Sequence, residues 1–133
     1  MSSSVSPFLM FQDGRAEEAM LFYTSVFPGG KIIELTRHTN TTGGSEGQIM
    51  LGIIEINAQR VRFTDSPPVH EFGFTPSMSL FVECASAQRF DTITTTLAED
   101  GEFLMPPDNY GFSQKFAFFK DKFGVSWQTN LPN

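Results

Sequence analysis

Few side chains in this chain of 133 residues can do chemistry, and they are scattered. His38 closes a predicted strand beside a polar, Gly-rich loop, where a histidine is expected to be solvated. His70 and Glu71 lie in a Pro-rich stretch. A zinc site there would need two more ligands, and none stands nearby in the sequence, so the pair reads as a hydrogen bond that pins a crossover. Cys84 is the single cysteine; an intrachain disulfide and a Cys-rich zinc motif are excluded. No nucleophile elbow, Ser-His-Asp set or pair of inward carboxylates can be placed. What remains is recognition chemistry. Gln12 and Gln128 donate and accept, Arg62 offers a planar guanidinium for a carboxylate or phosphate, and Thr64, Ser79 and Tyr110 bring hydroxyls.

These residues need elements to position them. Residues 5–11 read as a strand. Asp13 suits a helix N-cap, with Glu17 and Glu18 in the first turn, where carboxylates favour the dipole. Ala16, Ala19, Met20, Tyr23, Val26 and Phe27 recur at helical spacing, and Pro28-Gly29-Gly30 stops the helix. Strands follow at 31–38, 48–56 and 60–65, separated by the loop 39–47 and a turn at 57–59; the second, nearly all apolar, is expected to be covered on both faces. After three prolines the order restarts. A strand spans 78–84, and a helix capped by Ser86 carries the stripe Phe90, Ile93, Thr94 and Leu97 up to Gly101. A strand at 102–105, a loop at 106–111 and a hairpin complete the chain. The hairpin places strands at 116–120 and 125–129 around the turn Asp121–Gly124, which begins on an Asp and ends on a Gly. Alternation on its return strand separates Val125, Trp127 and Thr129 from Ser126, Gln128 and Asn130.

The order strand, helix, three strands therefore occurs twice. At a constant offset Leu9 matches Leu80, Phe11 matches Val82, Ala19 matches Phe90, Phe22 matches Ile93, Val26 matches Leu97 and Gly30 matches Gly101. We read a duplication: an α+β chain of two βαβββ modules, residues 1–66 and 77–133, joined by a linker at 67–76 within one structural domain. One helix covers one face of a four-stranded sheet, and the other faces are expected to curl as a curved mixed sheet around a cleft, the usual setting of a small-ligand site. Alternation sends Phe8, Met10 and Gln12 to that cleft, with Arg60, Arg62 and Thr64 together on another strand, Ser77, Ser79 and Phe81 on a third, and Ser126 and Gln128 on the last. Phe8, Met10 and Phe81 supply apolar area, Gln12, Arg62, Thr64, Ser79 and Gln128 polar handles, and Tyr110 a ring able to close over them.

Composition narrows the partners. Hydrophobic residues make up 40% of the chain and phenylalanine alone contributes 15, enough for a thick core or a lined pocket. The net charge is −6 and the pI about 4.7. With nine Lys and Arg in no cluster, nucleic acid and an anionic membrane are not expected partners. The opening Met1-Ser-Ser-Ser-Val-Ser6 lacks the basic start and apolar run of a secretory signal, and no apolar run nears the ~18 residues of a bilayer span. A cytoplasmic protein is expected.

Several stretches resemble a known family. Phe8-Leu-Met-Phe11, Ala16-Glu-Glu-Ala19, Phe22-Tyr23, Phe27-Pro-Gly29, Thr64-Asp-Ser66, Phe72-Gly-Phe-Thr-Pro-Ser77, Ser79 to Cys84, Leu104-Met-Pro106 and Lys120-Asp-Lys-Phe-Gly-Val-Ser-Trp-Gln128 stand in the order and spacing of the vicinal-oxygen-chelate superfamily. That superfamily includes glyoxalase I, extradiol dioxygenases and the bleomycin and fosfomycin resistance proteins, and the chain is most similar to its PhnB-like branch. Some relatives are described as 3-demethylubiquinone 3-methyltransferases; the sequence has no Gly-rich strand-to-helix loop of the kind that holds a nucleotide-like cofactor.

The resemblance implies paired modules, often a homodimer, and a metal held by His, Glu or Gln on inner strands. Those positions fall near Phe8, Thr64, Ser77 or Ser79, and Gln128, where only Gln128 is a recognised ligand. We expect no metal and no cofactor there; a one-residue register slip would recruit Asp65. Three functions are carried forward. One is a small-molecule binding protein resembling the resistance proteins. Another is an enzyme using substrate-supplied or weak polar catalysis. The third is a lyase- or dioxygenase-type metalloenzyme with non-standard or partner-supplied ligands.

Overall fold

The computed structural model describes residues 3–133; of the opening stretch read for a signal, Met1 and Ser2 lie outside the described residues. The chain forms two compact units that divide between Gly73 and Phe74. Each is built around a four-stranded mixed sheet with one helix on one of its faces.

In the first unit the elements are β1 (Phe8–Phe11), α1 (Ala16–Val26), β2 (Lys31–Arg37), β3 (Ile49–Ile56) and β4 (Gln59–Asp65). The sheet order is β1-β4-β3-β2, with β1 parallel to β4 and the other pairs antiparallel. Ala16, Ala19, Met20 and Tyr23 form the buried stripe of α1. Met20 lies on Gly52, whose missing side chain leaves room for the thioether: a Cβ there would come within 2.5 Å of Met20 Cε. Tyr23 and Phe11 pack their rings on Phe63. The turn between β3 and β4 holds Asn57 at φ 47° and Ala58 at φ 66°, the twist that suits a two-residue hairpin, though Gly is the easier residue at the second position.

The second unit repeats the order: β5 (Leu80–Glu83), α2 (Ala87–Ala98), β6 (Glu102–Asp108), β7 (Lys115–Lys120) and β8 (Ser126–Leu131), arranged β5-β8-β7-β6. Ser86 caps α2 by accepting from Arg89 N at 3.1 Å. Phe90, Ile93, Thr94 and Leu97 are buried; Thr94 Oγ1 meets Thr129 Oγ1 on β8 at 2.8 Å, which sets the face of β8 turned to the helix. Trp127, fully buried, shares that face.

Several boundaries differ from expectation. The first strand begins at Phe8, not at residue 5; Pro7 has no N–H to continue a ladder. Helix α1 begins at Ala16, with Arg15 at the N-cap position and no side-chain cap. Asp13 only accepts from Arg15 N, at 3.3 Å. The carboxylate that meets the helix start belongs to Asp65, whose Oδ1 accepts from Ala16 N at 3.1 Å. Strand β5 begins at Leu80, so Ser77 and Ser79 precede it. Strand β6 runs on through Pro106 and Pro107, which an edge strand with irregular register tolerates.

Candidate functional site

Each sheet has one face against its helix and one face turned away. In the first unit, β1 and β4 pair Phe8 with Arg62 and Met10 with Thr64, and β3 sets Ile53 opposite Arg62. These residues share the face turned away from α1, as alternation implied. Arg62 is half-buried between Phe8, 54% exposed, and Ile53, which is buried. Its Nε donates to Ser6 Oγ at 3.2 Å. Among the described residues no acceptor engages its two Nη groups, which leaves the bidentate end of the guanidinium open. Beside it, Thr64 Oγ1 donates to Met50 O at 2.7 Å and is committed to the sheet.

Gln12 does not join this group as a ligand handle. Its Nε2 donates to Phe72 O at 2.7 Å and its Oε1 accepts from His70 N at 2.9 Å. The amide thus clamps the segment after β4, and both of its ends are used. His70 adds a contact of 3.2 Å to Ser66 Oγ and stacks on Phe72. The His70 stretch is pinned by hydrogen bonds, as its sequence suggested, with Gln12 as the unforeseen partner.

His38 departs from expectation. It is buried, with Nε2 2.9 Å from Asp65 O and Nδ1 2.9 Å from Thr42 Oγ1. A carbonyl only accepts, so Nε2 carries a proton. The Gly-rich loop lies on the imidazole ring, and a Cβ at Gly44 would overlap it. Asp65 itself faces inward: Oδ1 holds Ala16 N and Oδ2 holds Ile49 N at 2.8 Å. It ties helix, sheet and histidine together and is not turned to the face that carries Arg62.

In the second unit, Phe81 pairs with Gln128 and Gln128 with Phe118, all on the face turned away from α2. Gln128 Nε2 donates to Ser79 Oγ at 2.8 Å, so these two candidates meet even though Ser79 lies outside the strand. Phe81 is 55% exposed. Tyr110 stands edge-on to Phe116 with ring centres 6.1 Å apart and donates its hydroxyl to Pro106 O. Phe112 adds a second edge at 5.0 Å. Phe116, Phe118, Glu83 and Asn130 share this face and were missed, although alternation had already placed Asn130 with Gln128.

The hairpin that sets these residues is held by Asp121, read from the sequence only as a turn residue. Its Oδ1 accepts from Phe123 N at 2.9 Å and Val125 N at 3.0 Å, and its Oδ2 from Trp127 Nε1 at 2.9 Å. Gly124, at φ 89°, completes the turn.

The donor set at the inherited metal positions does not fit a divalent cation. Phe8 has no donor atom, Thr64 is committed to Met50, and Ser79 and Gln128 engage one another. Among the described residues no three His, Cys, Asp or Glu side chains gather in one place. Cys84 is buried, and burial pushes its thiol pKa up. Among the described residues no helix is long and apolar enough to cross a membrane.

Comparison with known proteins agrees with this architecture. A family model described as 3-demethylubiquinone-9 3-methyltransferase matches residues 3–130. A solved structure from Bacillus cereus, described as a 3-demethylubiquinone-9 3-methyltransferase and PhnB protein, is 43% identical over 97% of this chain and 99% of its own, with a TM-score of 0.91. A glyoxalase/bleomycin resistance protein/dioxygenase domain from Frankia sp. shares the fold at 15% identity and TM-score 0.67, over 100% of this chain and 93% of its own. A fosfomycin resistance protein from Listeria monocytogenes, solved with Mn(II) and a dihydroxypropylphosphonic acid, does so at 14% identity and TM-score 0.62, over 98% and 93%. Comparison with curated proteins gives no match.

Proposed function

The chain belongs to the PhnB-like family described as 3-demethylubiquinone-9 3-methyltransferase, and from that premise we propose that it binds a small, partly apolar molecule without a metal at the inherited positions. The observation that carries this reading is Arg62. A half-buried guanidinium with its Nη groups unengaged, set between Phe8 and Ile53 and near Met10, suits a ligand with an apolar body and a carboxylate, phosphate or phosphonate. Burying the ligand's apolar body against such side chains contributes about 1.5–3 kcal/mol per ring-sized group, and the guanidinium fixes its orientation.

Methyl transfer, the activity in the family's description, is not part of this proposal. The strand-to-helix connections are Gln12–Arg15 and Cys84–Ser86. Neither offers a glycine-rich cradle for a nucleotide-like cofactor. We further propose a cytoplasmic homodimer with no nucleic-acid partner, on the acidic charge and the exposed strand edges.

The test uses benzoate and phenylphosphonate as probes in titration calorimetry. Arg62→Met is expected to weaken either probe by about tenfold or more, on the order of 1.4 kcal/mol, with the thermal transition retained. Equal affinity for wild type and variant would remove Arg62 from the site and overturn the reading.

A further inference from the structure

A second recognition feature lies in the second unit and does not depend on Arg62. Asn130 on β8 stands in register with Glu83 on one side and Phe116 on the other, on the face turned away from α2. Its Nδ2 donates to Glu83 Oε1 at 2.6 Å. A carboxylate only accepts, so this bond fixes which way the amide points and turns Oδ1 away from Glu83. That oxygen is buried, in a side chain only 9% exposed, and receives no donor among the described residues. Buried acceptors are almost always satisfied, and an unsatisfied one marks a place where something else belongs.

The surroundings say what that is. Glu83 is exposed and contributes a negative charge next to the amide. Phe116, Phe112 and Tyr110 form an edge-to-face aromatic group beside it, with Phe112 58% exposed. The whole chain carries a net charge of −6, which favours the approach of cations. An acceptor lacking its donor, a carboxylate and the exposed rings of Phe112 and Tyr110 recognise one chemistry: an N–H-bearing organic cation. Its charge meets Glu83, its apolar body lies on the exposed rings, and its N–H reaches Asn130 Oδ1 as the side chain turns out of the position that buries that oxygen. We propose that the Asn130–Glu83–Phe116 corner binds an organic amine through an N–H donor.

The experiment titrates the full chain with benzylamine, which is protonated at neutral pH, and with benzyltrimethylammonium, which keeps ring and charge but has no N–H. The Asn130 side-chain amide is followed by NMR. Benzylamine is expected to shift that amide saturably in the low-millimolar range, and the trimethyl compound to bind weaker by about fivefold or more, equivalent to about 1 kcal/mol. Asn130→Leu should abolish the difference between the two. Glu83→Gln, at an exposed position that leaves the sheet intact, should weaken benzylamine by a similar factor. The inference is overturned by the absence of a saturable shift, by equal affinity for the two cations, or by a Glu83→Gln variant with unchanged affinity. A crystal structure in which an ordered water satisfies Oδ1 and stays in place with benzylamine present would overturn it as well.

Discussion

Replacing Asp121 by Asn tests the hairpin with almost no change in shape. In the native turn one carboxylate oxygen holds two backbone N–H groups and the other holds the Trp127 indole. An amide has a single oxygen. The less costly orientation keeps that oxygen on Phe123 N and Val125 N and sets NH2 against the indole N–H. The variant then loses one hydrogen bond to a charged acceptor, worth about 1.5–3 kcal/mol, and leaves a buried donor facing a donor. A total of roughly 2–4 kcal/mol follows. For a chain of this length that is on the order of a 6–20 °C fall in Tm, at about 3–5 °C per kcal/mol. Thermal unfolding by circular dichroism measures it. Trp127→Phe removes the indole N–H and leaves a cavity, so it should cost less in the Asp121→Asn background than in the wild type, with a coupling energy of about 1 kcal/mol or more in the double-mutant cycle. A loss below about 0.5 kcal/mol, or strict additivity, would refute the role given to the carboxylate.

Three further outcomes are expected. Ala58→Gly relieves a positive φ in the β3–β4 turn and should raise stability by roughly 0.5–1 kcal/mol, read as a higher urea midpoint at unchanged m-value. Cys84, whose thiol pKa is raised by burial, should resist iodoacetamide in the folded protein at mildly alkaline pH and react once denaturant is added. Glu17 is held below its ordinary pKa by its hydrogen bond to Arg37. A depressed carboxylate stabilises above its unfolded pKa and loses that contribution as pH falls through the folded value. Arg37 also donates to Gly47 O at 3.0 Å, a bond that does not titrate, so Arg37→Ala should lower stability slightly at neutral pH and by less in acid, where only the carbonyl bond is lost; a difference from wild type that stays the same from neutral to low pH would contradict the assignment.

The sequence made the local patterns legible. Two rounds of strand, helix and three strands followed from periodicity and punctuation, and period-two alternation sorted Trp127 and Thr129 from Gln128 and Asn130. It also set Phe8 and Met10 on one face of β1 and Arg62 and Thr64 on one face of β4, and the parallel register brings the two pairs together. The failures share a cause: the deciding partner is distant in sequence. Asp65 meets the start of α1 across 49 residues, and Gln12 clamps the backbone 58 and 60 residues away. Neither bond has a local signature. His38 reads as solvated because a strand end beside glycines is usually open; here Gly44 lacks the side chain that would keep the loop off the ring. Asp121 had a local signature, a turn Asp six residues before a Trp, but the indole bond needs the strand twist that only the folded hairpin supplies.

The most direct test of the account is a crystal structure of the protein purified from cells without added ligand or metal. Density is expected for a small molecule with its anionic group at the Arg62 Nη atoms and its apolar part against Phe8 and Met10. Water alone at the guanidinium, or a metal ion bound at Thr64 or Gln128, would contradict it.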